Sequence, residues 1–86
     1  MYTPKAALQM FNREHRDLTV TAMGNYKTSH YVLTAVKDPN KTDYSDPYYL
    51  VNKETGRATQ FIPQLDDIDE LQNAFYEHAI DLKTLK

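Results

Sequence analysis

The sequence predicts an α+β fold: a four-stranded antiparallel sheet made of two hairpins, flanked by an N-terminal and a C-terminal helix, with the helices mainly on one face. Three observations predict it. Between Tyr48 and Ile62, two runs rich in aromatic and β-branched residues flank Lys53-Glu54-Thr55-Gly56, whose glycine sits where a turn with a bulge needs positive φ. A second pair of strand-like runs, Leu18–Met23 and Tyr31–Val36, flanks the turn signal Gly24-Asn25. Apolar residues at spacings of three and four mark a helix near each end.

Composition bounds the class of molecule. At 86 residues the chain is expected to form one domain with a self-sufficient core. A hydrophobic fraction of 41% beside 26% charged residues suits a globular chain rather than a disordered one. The absence of cysteine excludes disulfides, thiolate metal sites and thiol nucleophiles, and fits a reducing compartment. No apolar run approaches the roughly 18 residues of a membrane span. Met1–Ala7 offers no apolar stretch of signal-peptide length, so the expected location is the cytoplasm.

In chain order, Thr3 caps a helix that has Pro4 in its first position, where the missing N–H costs nothing. Ala7, Leu8 and Phe11, with Met10 beside them, carry that helix over Pro4–Arg13, and the polar run Asn12–Asp17 leads out of it. Leu18, Val20 and Ala22 alternate with two threonines as in a strand with one buried face. A connection over Gly24–Lys27 would place Leu18 and Val20 on the face of Tyr31, Leu33 and Ala35. Lys37–Asp46 is rich in turn formers and reads as a surface loop. Within it Asn40-Lys41-Thr42 matches the glycosylation acceptor pattern, which matters only in a secreted chain.

In the central hairpin a bulge at Gly56 would pair Val51 near Thr59 and Tyr49 near Phe61, leaving Tyr48, Leu50, Ala58 and Ile62 on the opposite face, whereas a plain four-residue turn would shift the register and exchange partners. Both faces of that hairpin are then apolar. Pro63 ends the strand, Leu65 is placed to staple the next helix, and Asp66 or Asp67 caps it. Ile68, Leu71, Phe75, Ala79 and Leu82 form its apolar stripe, with acids at its start and Lys83 and Lys86 at its end, as the helix dipole prefers. The run Tyr49–Thr59, with its Lys-x-Thr-Gly turn, resembles the hairpin of PepSY-type modules and of some small immunity proteins. That resemblance is a turn signature and implies no functional residue.

The residues that chemistry requires are sparse. His15, His30 and His78 fall in different elements and form no metal-ligand pair, and the acids Asp66, Asp67, Asp69 and Glu70 serve as helix caps rather than as a cation loop. Ser29 and Ser45 lack the glycine-flanked elbow of a serine nucleophile, and two glycines cannot build a phosphate-binding loop. The expectation is a non-catalytic protein with neither cofactor nor metal. Seven tyrosines favour a protein interface, because tyrosine offers a large amphipathic surface at low entropic cost. Binding is expected through an exposed tyrosine-rich face or edge of the sheet, with Tyr44, Tyr48, Tyr49 and Phe61 as the candidate contacts to a protein partner, a second copy of the chain included.

Charge suggests an alternative. Residues 1–37 carry five bases against two acids, and residues 38–86 five bases against ten acids, within a net charge of -2. Arg13, Arg16, Lys27 and Lys37, with Tyr26 and Tyr31 nearby in sequence, would be the basic surface of a nucleic-acid-associated regulator.

Overall fold

A computed structural model describes residues 1–38 and 48–85. Helix α1 spans Pro4–Glu14, strands β1 and β2 span Thr19–Tyr26 and His30–Val36, and β3 and β4 span Tyr48–Asn52 and Ala58–Phe61. A 3-10 turn, Leu65–Asp67, leads into helix α2, Ile68–Tyr76, and a second 3-10 turn covers Leu82–Leu85. The four strands form one antiparallel sheet in the order β1-β2-β3-β4. The α+β class and the element order are those the sequence predicts. Of the expected loop, Asn40-Lys41-Thr42 and Tyr44 lie outside the described residues, as does Lys86.

The helices do not share a face. Ala7 and Phe11 of α1 are buried with Tyr31, Leu33, Ala35 and Val51, whereas Leu71 and Ala74 of α2 are buried with Tyr26 and Val32. Successive strand residues point to opposite sides, so these two sets define two faces, each with its own helix. The cause is legible in β2, where Tyr31, Val32 and Leu33 are buried consecutively. An apolar run without alternation requires cover on both sides.

The first hairpin turns later than expected. Tyr26 pairs with His30, so the loop is Lys27-Thr28-Ser29, and Lys27 takes the positive φ of 53°. Gly24 lies inside β1 instead of in a turn. A Cβ there would run into the Ala74 carbonyl, so the glycine admits the backbone of α2 against the sheet. The pairing slips between Val20 and Ala22, a bulge at Thr21. That slip keeps Val20 opposite Ala35, with Met23 opposite Leu33 on the same face, and sends Ala22 to the other face.

In the second hairpin Val51 pairs with Ala58, Tyr49 with Gln60 and Tyr48 with Phe61, one residue away from the expected register. The turn is a plain four-residue loop: the Asn52 N–H donates to the Arg57 carbonyl (2.9 Å), and the Gly56 N–H donates to the Asn52 carbonyl (2.8 Å). Gly56 does carry positive φ, 72°, and it sits beneath Tyr2 and Met10. The Asn52 side chain accepts from the Glu54 and Thr55 amides and holds the loop. Because of the changed register, Phe61 joins Tyr48 and Leu50 on the α2 side.

Helix α2 is shorter than its apolar stripe. The Glu77 and His78 amides both donate to the Asn73 carbonyl, ending the helix, and the chain then runs along the outside of β1. There Ala79 bridges Gly24, the Ile80 N–H donates to the Met23 carbonyl (2.9 Å), and the Asn25 N–H donates to the His78 carbonyl (3.0 Å). Backbone groups on the edge of β1 thus outcompete another helical turn. Ile80, Leu82 and Leu85 pack against the α1-side core, so the tail passes from one face to the other around that edge. Leu65, expected as a staple, is 87% exposed.

Candidate functional site

With a helix on each face and the tail along β1, the outer side of β4 is the side of the sheet with no strand or bridge partner among the described residues. Its geometry follows from the turn. The Asn52–Arg57 pair is hydrogen-bonded, and such pairs alternate along an antiparallel ladder, so Thr59 and Phe61 direct their backbone groups inward to β3. Ala58 and Gln60 direct theirs outward. The strand Ala58-Thr59-Gln60-Phe61 contains no charge and no proline, two common means by which an edge is protected. Beyond it come Ile62 at 74% exposure, Leu65 at 87% and Ile68 at 41%. Asp66, Asp69 and Glu70 lie exposed among them. Asp67 is occupied: one oxygen accepts from the Gln64 N–H at 2.9 Å and the other faces the Tyr26 hydroxyl at 3.5 Å.

The residues singled out in the sequence distribute differently. Tyr48 and Tyr49 are half-buried on opposite faces, Tyr48 beside Phe75 with rings 6.2 Å apart and Tyr49 edge-on to Phe11 at 5.2 Å. Phe61 packs 5.6 Å from Tyr26, and Tyr44 lies outside the described residues. The structure therefore brings Tyr48 and Phe61 together as a cross-strand pair and separates Tyr49 from both. Among the bases, Arg13, Arg16, Lys27 and Lys37 are all exposed. Arg13 and Arg16 lead into the start of β1, and Lys37 follows the end of β2 that pairs with it. Lys27 occupies the turn at the far end of that hairpin.

The histidines remain apart in role as well. His15 stacks on Phe11 at 4.6 Å, His30 is hydrogen-bonded to the Ser29 hydroxyl at 2.6 Å, and His78 is exposed at the end of α2. Among the described residues no group of three or more His, Cys, Asp or Glu is placed to hold a metal ion. An open cleft of about 520 Å³ lies between β1, α2 and the tail, floored by Thr21 and Thr34, whose hydroxyls are 2.7 Å apart. A polar cleft of about 400 Å³ has Lys27, Glu70 and His78 in its walls. No helix among the described residues is long and apolar enough to cross a membrane.

Reasoning from sequence allows a face or an edge of the sheet as the binding surface but does not single out β4 as that edge. Ile62, which the strand alternation assigns to a face of the hairpin, and Leu65, which reads as a helix staple, are both exposed instead. Comparison with protein-family models, with curated proteins and with solved structures finds no match.

Proposed function

We propose that this chain is a non-catalytic protein-binding module that works in a reducing compartment such as the cytoplasm and engages its partner by strand addition along β4. One observation carries the reading: an uncharged edge with outward backbone groups at Ala58 and Gln60, continued by exposed Ile62 and Leu65. A strand laid along that edge gains main-chain hydrogen bonds, and the apolar residues beyond it supply area. Tyr48 and Phe61 support the edge from beneath as a packed pair rather than as direct contacts.

Gln60→Pro tests the reading, because it removes an outward N–H and crowds an incoming strand while sparing the ladder to β3. In affinity capture from the source cell, the wild-type chain is expected to retain a protein that the folded Gln60→Pro chain loses. Equal retention by both would overturn β4 as the binding surface. A titration with DNA and RNA at low and moderate salt checks the other class: binding with a steep salt slope would favour the nucleic-acid reading instead.

A further inference from the structure

We infer that one occupant of the β4 edge is a second copy of this chain, paired antiparallel about a two-fold axis near Gln60 to give a continuous eight-stranded sheet. The inference rests on the reading of β4 as a binding edge and adds the identity of the strand that covers it.

The charges flanking β4 select the orientation. Arg57 precedes the strand and is exposed, and the exposed acids Asp66, Asp69 and Glu70 follow it. In a parallel pairing like charges would meet. In the antiparallel pairing Gln60 faces Gln60, Ala58 faces Ile62, and Arg57 faces Pro63, where the chain enters the acidic turn. Each Arg57 then approaches the acids of the other copy, and the two-fold axis makes that contact twice. The strand itself is uncharged, so no like charges are set opposite each other across the axis.

The register also satisfies the backbone and covers apolar surface. The outward groups of Gln60 meet those of Gln60 in the other copy as a hydrogen-bonded antiparallel pair, and those of Ala58 meet Ile62, the next position of the same alternation. Ile62, 74% exposed in the single chain, comes to lie across from Ala58. Four residues per strand make a contact smaller than the roughly 1,200–2,000 Å² of a stable interface, so the dimer is weak and reversible.

The experiment is light scattering or sedimentation from about 10 µM to about 1 mM, the range in which so small an interface assembles. The mass is expected to rise from 10.0 kDa toward twice that value, and to rise less at high salt. Gln60→Pro is expected to stay monomeric. Arg57→Glu alone, and Asp66→Lys with Asp69→Lys in one chain, should each weaken self-association at least about tenfold, because like charges then meet at both contacts. Mixing the two variant chains restores opposite charges at both contacts and should recover the dimer, an outcome independent of whether Gln60→Pro folds. A chain that stays monomeric up to about 1 mM overturns the dimer. So does a dimer that survives Gln60→Pro, or a mixture that fails to recover. If capture of another protein still depends on Gln60 while the chain remains monomeric, the binding edge stands and only the second copy is eliminated.

Discussion

The two outer edges of the sheet are treated in opposite ways. Along β1 the tail after α2 supplies a short antiparallel partner: Ala79 bridges Gly24, and the Ile80 and Asn25 amides are both used. Along β4 nothing comparable is present among the described residues. Strand composition does not explain the difference, since Thr19–Tyr26 is as free of charge as Ala58–Phe61. The difference is the chain's own tail and the glycine that admits α2. The β1 edge is closed by its own polypeptide, whereas the β4 edge, which has no such strand partner among the described residues, is the one proposed above to bind.

The largest effect is expected where closure depends on Gly24. In Gly24→Ala the new methyl meets the Ala74 backbone, with the carbonyl carbon 2.8 Å away, and main chain cannot yield as a side chain would. Helix α2 must lift, at a cost on the order of 3 kcal/mol. Denaturant unfolding measures that cost, and faster amide exchange at Asn25 and Ile80 would locate it at the β1 edge. Unchanged stability would mean that α2 is not pressed on the sheet and that the edge closes independently of it. Ile80→Pro is next. It deletes the N–H that donates to Met23 and trims a half-buried side chain, for about 2 kcal/mol by the same measurement.

Much of this architecture was legible in the sequence, and the failures share a cause. Thr3-Pro4 set the start of α1, and the Thr3 hydroxyl does accept from the Ala6 N–H at 3.2 Å. Local signals also gave the positive φ of Gly56. Two features were misread because a distant backbone decides them. Gly24 resembled a turn residue, yet its role is set by Ala74, fifty positions away. Ala79 and Leu82 continued the helical stripe, yet the vacant side of β1 drew the chain out of the helix. The register of the second hairpin turned on whether Gly56 lay inside the loop or formed a bulge, a difference of one residue. The candidate site was the least legible part. It consists of outward backbone groups, and side-chain identity carries almost no record of which way an amide points.

Alkaline pH probes how the α2 face is sealed. Burial pushes the Tyr26 hydroxyl above its ordinary 10.0, and the neighbouring Asp67 and Glu70 charges and the Asp67 hydrogen bond push it the same way. Burial alone raises Tyr31, whose hydroxyl donates to the Tyr2 carbonyl at 2.8 Å. A folded-state pKa above the unfolded one means that the folded chain holds the proton more tightly. The stabilisation is therefore complete below pH 10.0 and lost as pH rises through the folded values. Thermal melts from neutral pH upward should show stability falling above that point, and Tyr26→Phe should reduce the slope. An identical slope in the variant would assign the alkaline loss to other groups.

The smallest expected effect on stability is at the open edge, and it tests the contrast most directly. Gln60→Pro removes an amide hydrogen that points away from β3, so no ladder hydrogen bond is lost, and an edge strand tolerates the restricted φ. The change in unfolding free energy should stay below about 1 kcal/mol, against about 2 for the same substitution at Ile80. Amide exchange in dilute wild-type chain sharpens the point: Ala58 and Gln60 should exchange quickly, Thr59 and Phe61 slowly. At high concentration the self-association inferred above would slow the first two selectively. If Gln60→Pro instead destabilises the dilute monomer as much as Ile80→Pro does, the Gln60 amide is already engaged within the chain. The two edges would then be closed alike, and β4 would no longer be free to bind a partner.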